Sequence, residues 1–325
     1  DVTVQVLARL DPILKRDRPD WLLVQGDTTT AMAASLVAFY HQIRIGHVEA
    51  GLRTGNKFHP YPEEVNRIIA DALGDLRFAP TESARRNLMR EGISGESIHV
   101  TGNTVIDALT RAANLPADAD VVQLLNRLGL DRSPGESNQN APRIILVTAH
   151  RRENFGERLE SICGALCEIA ARYPVKVVYP VHPNPHVRSV AYAILGNIPN
   201  VLLLDPLGYG TMVHLLKRSY LVLTDSGGLQ EEAPGLGKPV LVMRDVTERP
   251  EAVQAGTVRV VGTDYDRIIA ETARLLEDEV EYQRMATAVN PYGDGHASER
   301  IAWALASTAG ERLEGPGYPP REWTG

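Results

Sequence analysis

The chain has 325 residues, 43% of them apolar and 23% charged, an ordinary composition for a globular protein. A formal charge of −7 removes the broad basic field that nucleic-acid binding needs, so any phosphate must be held by local groups. No apolar run approaches the roughly 18–20 residues that cross a bilayer, and no signal peptide is read at the start. The expectation is therefore a cytoplasmic protein with no membrane partner, long enough for two domains.

Val4 to Leu14 reads as a helix, where a doubly wound domain normally opens with a strand and a glycine turn. The first domain is therefore expected to lack its opening strand–helix unit. Trp21 to Gly26 is a continuous apolar run of the kind buried on both faces of a parallel sheet. It ends in Asp27-Thr28-Thr29-Thr30, where Asp27 is a candidate cap for a helix from Ala31 to His41. A second strand, Arg44 to Val48, ends at Glu49. Pro62 suits the first position of a helix whose first turn carries Glu63 and Glu64. Phe78 to Thr81 leads into a further helix ending near Gly92, and Ser97 to Thr101 is another strand candidate.

Asp118 to Pro142 breaks this pattern and ends in a loop-like stretch, so it is read as an interdomain connection. A second α/β series follows, with strands at Ile144–Thr148, Val175–Pro180, Val201–Leu204, Tyr220–Thr224 and Pro239–Met243. Helices fall between them, notably Leu159–Arg172 and Met212–Arg218. The expected fold class is α/β, with strands alternating with helices in two Rossmann-like domains facing a cleft. The first spans 1–117 and is joined by a C-terminal helix at 291–308. The second spans 143–290. The Gly/Pro-rich tail, 309–325, is expected to be disordered.

In open α/β sheets, ligands bind beyond the carboxyl ends of the strands. The residues standing there are Asp27, Glu49, His150 with Arg151, His182, and Ser226-Gly227-Gly228. The last group follows an apolar strand and opens a helix. Without a Cβ the backbone can approach a ligand, and free N–H groups backed by the helix dipole attract an anion. Arg244 and Arg249 follow about twenty residues on, and the whole reads as a diphosphate grip. Acids thus gather in the first domain and cations in the second, an asymmetry suited to acid–base chemistry on a sugar whose diphosphate is held opposite.

Each of these has a plainer reading. Asp27 can serve only as a cap, Glu63 can pair with Arg67 one turn on, and Arg249 can form a surface ion pair. Cys163 and Cys167 share a helix face but lack further cysteine partners, so they read as small buried side chains. His182 and His186 are separated by prolines that prevent a two-histidine helix face, so no metal and no cofactor is expected.

Taken together, the motifs resemble those of non-hydrolysing UDP-N-acetylglucosamine 2-epimerases, which share the fold of the B-type glycosyltransferases. The matching segments are Gly26–Thr30, His47–Gly55, Pro62–Arg67, Thr101–Thr104, His150–Asn154, Tyr179–Pro185, Thr224–Pro234, Thr247–Pro250 and Asn290–Gly295. The resemblance implies interconversion of UDP-GlcNAc and UDP-ManNAc, through loss of UDP to a 2-acetamidoglucal and its return, in support of cell-surface polysaccharide synthesis. It makes Asp27, Glu49 and Glu63 the acid/base carboxylates and sets His150 against the phosphates. Ser226, Gly227 and Gly228 would hold phosphate, Arg67 would bind substrate, Arg249 would reach the diphosphate or sugar, and Glu232 would accept from the ribose. A second, activating UDP-GlcNAc site would use Glu64, Arg151 and His182. A homodimer is expected. Family members begin with a glycine-turn strand bearing substrate-binding arginine and lysine that has no counterpart before Asp1. Weak or absent activity is therefore expected of this chain alone. The rival readings are a B-type UDP-sugar glycosyltransferase and an inactive UDP-sugar-binding fragment.

Overall fold

The computed structural model describes residues 1–129, 143–247 and 249–310, together with Pro320 and Trp323. The loop-like end of the expected connection and most of the expected tail therefore lie outside the described residues. The chain opens with helix α1 (Val2–Asp17), followed by β1 (Trp21–Gln25), α2 (Thr29–Tyr40) and β2 (Arg44–Val48). Next come α3 (Glu63–Leu73), β3 (Leu76–Ala79), α4 (Glu82–Arg90), β4 (Ile98–Val100) and α5 (Thr104–Asn114). Helix α6 (Ala119–Leu128) precedes β5 (Arg143–Thr148), α7 (Glu157–Arg172), β6 (Val175–Pro180), α8 (Pro185–Leu195) and β7 (Val201–Leu204). The chain continues through α9 (Tyr209–Arg218), β8 (Leu221–Thr224), α10 (Gly227–Gly235), β9 (Val240–Val242), α11 (Pro250–Ala255) and β10 (Val258–Val260). Helices α12 (Tyr265–Glu277), α13 (Glu279–Ala286) and α14 (Ala297–Thr308) close it.

These elements form two compact units, residues 1–107 with 291–325, and residues 108–290. The first holds a parallel four-stranded sheet in the order β1-β2-β3-β4. Its apolar face is closed by α14, whose Ile301 and Ala304 pack with Leu76 and Phe78. That helix is tied down where Asn103 N–H donates to the Tyr292 carbonyl at 2.6 Å, and where Arg300 grips Asp294 at 2.7 and 2.8 Å. The Asn290–Gly295 motif is thus the chain's re-entry into its first unit.

The second unit holds a parallel six-stranded sheet in the order β10-β9-β8-β5-β6-β7. Strands β5 and β8 lie at its centre and are buried almost throughout, as their unbroken apolar runs require. Helix α7 contributes Ile162, Cys163, Leu166 and Ile169 to the same core. Cys163 is fully buried, and that burial pushes its thiol up to about 12. Among the described residues no group of His, Cys, Asp and Glu is arranged to hold a metal ion, and no helix is long and apolar enough to cross a membrane.

Three local expectations change. Residues 119–128, expected as connection, are a helix capped by the Asp118 carboxylate and closed by Gly129 in the left-handed region. Strands β3 and β10 are present where none was expected. The cap of α2 is Thr28, whose hydroxyl accepts the Ala31 N–H at 3.1 Å, leaving the Asp27 carboxylate for other work.

One glycine carries an unusual load. Gly51 has φ +84, and a Cβ there would strike the Ala84 carbonyl and come within 2.9 Å of Leu88. Gly51→Ala is expected to cost about 2–4 kcal/mol through left-handed strain and overpacking. Thermal unfolding checks this: an unchanged melting temperature would show that the loop relaxes freely.

Candidate active site

In the second unit the chain runs outward from β5 through β6 to β7, then returns to the other side of β5 as β8. The gap between the ends of β5 and β8 is therefore the sheet's topological switch point, where doubly wound folds take their ligands. Thr148 and Thr224 pair in register at those ends, with their hydroxyls 2.6 Å apart. Immediately beyond them stand His150 and Ser226-Gly227-Gly228.

Ser226 is the cap residue of α10 but makes no side-chain cap bond, so the first N–H groups of the helix keep their donors for a ligand. A Cβ at Gly227 would lie 3.8 Å from the Arg151 guanidinium. A cation beside the positive end of a helix is unfavourable until an anion joins them. Among the described residues, the buried Arg151 Nε has no hydrogen-bond partner. Both facts make this turn a candidate anion site.

Asp225 organises the site, and its role was not read from the sequence. It is fully buried. One carboxylate oxygen accepts the backbone N–H groups of His150 and Arg151, each at 2.8 Å, and the Asn154 amide at 3.1 Å. The other lies 3.2 Å from His150 Nδ1, near enough for an ionic contact though misaligned for a hydrogen bond. Burial pushes the His150 pKa below the usual histidine value; Arg151 and His182 push the same way, and Asp225 opposes them. The imidazole stacks on His182 with ring centroids 5.5 Å apart.

A cavity of about 280 Å³ opens beside these groups, lined by His150, Val181, Leu207, Met212, Leu229 and Glu232. Glu232 supplies an acceptor in its wall. Burial raises the Glu232 pKa, and the Tyr209 hydroxyl, donating to it at 2.9 Å, works against that rise. Tyr209 was also missed: it lies on α9, 23 residues from its partner.

The two arginines read as a cation grip are both engaged with acids. Arg244 is buried and bonds Glu153 at 2.6 Å. Arg249 bonds Glu231, whose side chain is only 3% exposed, so the surface ion pair considered for Arg249 is in fact an inward one. In this structure Arg249 is held against α10, and the cation beside the glycine turn is Arg151.

In the first unit, Asp27 and Glu49 follow adjacent strands, β1 and β2. Gly26 has φ +71, and the Glu49 carboxylate lies 3.4 Å from where its Cβ would stand. Glu49 itself has φ +67, a conformation that costs a non-glycine residue of the order of 1–2 kcal/mol and clusters at functional sites. Asp27 is bonded by Arg67, and its carbonyl accepts the Asn66 amide at 2.9 Å. Glu63 stands three and four residues before Asn66 and Arg67, so it shares the helix face that reaches the Asp27 loop. All three residues thus stand at the same end of the sheet, Asp27 and Glu49 after their strands and Glu63 at the start of α3.

The pairing considered between Glu63 and Arg67 is replaced by another among the described residues: Arg67 lies 3.4 Å from Glu64 and bonds Asp27. Glu64 is buried and accepts the Thr54 and Gly55 N–H groups at 2.9 Å. The expected second site at Glu64, Arg151 and His182 therefore falls on side chains that each have a local setting: the Thr54–Gly55 loop, the glycine turn and the His150 ring.

A doubly wound unit with a candidate anion turn at its switch point, and another α/β unit that holds Asp27, Glu49 and Glu63, are the features of a two-unit α/β enzyme of nucleotide-sugar type. A family profile described as UDP-N-acetylglucosamine 2-epimerase matches residues 1–306. The chain is 52% identical over 306 residues to the UDP-N-acetylglucosamine 2-epimerase of Escherichia coli K12, covering 94% of this chain and 80% of that one. It is 54% identical over 308 residues to that of Salmonella typhimurium, at 94% and 81% coverage. Among solved structures, the Neisseria meningitidis UDP-GlcNAc 2-epimerase bound to UDP-GlcNAc superposes with a TM-score of 0.84 at 45% identity, covering 94% of this chain and 81% of that one. The Methanocaldococcus jannaschii enzyme with UDP-GlcNAc and UDP gives 0.75 at 34% identity, with 94% and 80% coverage. The chain belongs to the UDP-N-acetylglucosamine 2-epimerase family.

Proposed function

We propose that the chain inverts carbon 2 of the sugar in UDP-GlcNAc, giving UDP-ManNAc, and that it does so by elimination and re-addition of UDP. No carbonyl stands beside carbon 2 to stabilise a carbanion, so the proton is barely acidic. Breaking the carbon 1–oxygen bond as the proton leaves removes that difficulty. The C–H electron pair forms the carbon 1–carbon 2 double bond, the diphosphate takes the bonding pair from carbon 1, and a carboxylate takes the proton. Return of a proton to the opposite face of carbon 2, with UDP oxygen re-bonding to carbon 1, completes the inversion.

The second unit supplies what the leaving group needs. The N–H groups of Gly227 and Gly228, the Ser226 hydroxyl, Arg151 and His150 all meet the charge that grows on the diphosphate. Arg249 can add to them on release from Glu231. The 280 Å³ cavity takes the base, with Glu232 accepting from the ribose. Asp27, Glu49 and Glu63 carry the proton transfers, with Arg67 oriented by Asp27 and Glu64 to bind substrate. Activation by a second UDP-GlcNAc through Glu64, Arg151 and His182 belongs to the same proposal, as does a cytoplasmic homodimer.

The gathering of three acids in the first unit carries this reading. A glycosyltransferase sharing the UDP grip needs one base, whereas inversion through a planar intermediate needs proton donors and acceptors on two faces. Incubation with UDP-GlcNAc and no acceptor, followed by proton NMR, tests it. UDP-ManNAc with traces of UDP and 2-acetamidoglucal is the expected product set. Strict dependence on an acceptor, or release of free ManNAc, would contradict it.

A further inference from the structure

We propose that His47 and Asp71, neither of which faces the cavity or the carboxylate cluster as a reacting group, are positioning residues that hold the Asp27 and Glu49 loops in register. Both side chains are completely buried. The imidazole Nδ1 lies 2.6 Å from one Asp71 oxygen, and Nε2 lies 2.9 Å from the Gly26 carbonyl. A carbonyl can only accept, so Nε2 carries a hydrogen and donates to it. The other Asp71 oxygen accepts the Gly51 N–H at 3.2 Å and meets Arg53 at 2.7 Å. Arg53 in turn bonds Glu91 at 2.7 Å through two nitrogens.

The two residues therefore grip the chain at two points that matter. Gly26 immediately precedes Asp27, and Gly51 stands two residues after Glu49. A single imidazole–carboxylate pair, lying beneath both turns, fixes one loop to the other. Glu49 occupies the left-handed region at φ +67, which a free chain would leave. His47 on one side of it and Gly51 on the other are both bonded to Asp71, so the pair supplies the restraint that keeps it there. Burial by itself would raise the Asp71 pKa, but the hydrogen bond and charge of His47 and the charge of Arg53 bring it below the usual carboxylate value. The carboxylate thus stays ionised as an acceptor for all its donors.

The kinetic arm of the test rests on the epimerase reading; the structural arm does not. His47→Ala is expected to lower kcat about 100-fold, the scale of a displacement near 1 Å, with KM and UDP affinity within about twofold. His47→Gln can still donate to the Gly26 carbonyl and is expected to recover to within about tenfold of the parent. Asp71→Asn keeps the size but turns an amide N–H toward the donors of Gly51 or Arg53, and should resemble the alanine variant. Crystal structures of the variants should show Glu49 out of the left-handed region and its carboxylate withdrawn from Gly26. If His47→Ala does not fold, His47→Gln and Asp71→Asn decide by the same measures. Unchanged kcat in a folded variant, or Glu49 unmoved in its structure, would overturn the proposal. Where the parent chain turns over too slowly to read, as expected of this chain alone, the position of Glu49 in the variant structures decides this proposal.

Discussion

Asp27→Asn is expected to cut exchange of the carbon 2 proton by about 10²–10⁴-fold, the range that a positioned acid or base contributes. UDP affinity should stay within about twofold, because the proposed UDP grip belongs to the other unit. The geometry makes the substitution clean. The cap of α2 belongs to Thr28, so no helix start depends on the Asp27 carboxylate. An asparagine also keeps an oxygen for Arg67 and leaves untouched the backbone carbonyl that holds Asn66. The measurement pairs a stopped-time NMR assay of exchange with calorimetric titration of UDP. Loss of UDP binding along with exchange would make Asp27 a structural residue.

Asp225→Ala is expected to act through the opposite unit and to do more damage. Three donors, the N–H groups of His150 and Arg151 and the amide of Asn154, converge on this one buried carboxylate. Buried donors left without an acceptor cost about 1–3 kcal/mol each, and partial relaxation brings the total to about 3–5 kcal/mol. The loop that carries His150 and Arg151 to the glycine turn would lose its anchor. UDP should then bind about 100-fold more weakly, a change of roughly 2.7 kcal/mol. Thermal unfolding and UDP titration read the two effects. Native-like UDP affinity in the variant would show that the loop is held by other means.

Much of the candidate site's placement was legible because it depends on short-range patterns. A continuous apolar strand, two glycines and a helix start mark the candidate anion turn at Ser226-Gly227-Gly228 within a dozen residues. Asp27 and Glu49 stand, as read, just past the ends of apolar strands. What escaped lies in long-range pairing. His47 meets Asp71 across 24 residues, His150 meets Asp225 across 75, and Tyr209 meets Glu232 across 23. Arg244 and Arg249 read as available cations because Glu153 and Glu231 stand 91 and 18 residues away from them.

The missed elements have similarly local causes. Strand β3 is four residues long and has Arg77 within it, which breaks the apolar pattern. Its guanidinium is accommodated by the Asp71 carbonyl and the Ser97 hydroxyl, both at 2.9 Å, partners invisible to periodicity. Strand β10 has three residues and holds Arg259, so no run long enough to declare a strand exists there. The Gly26-Asp27-Thr28-Thr29-Thr30 stretch offers several capping side chains, and only geometry selects Thr28.

Turnover of UDP-GlcNAc in heavy water, with isotope content at carbon 2 followed by NMR and mass spectrometry, tests the chemistry most directly. The expected result is one solvent deuteron at carbon 2 of each UDP-ManNAc formed, its appearance slowed about 10²–10⁴-fold in Asp27→Asn. Inversion with full retention of the original hydrogen would contradict proton transfer by these carboxylates.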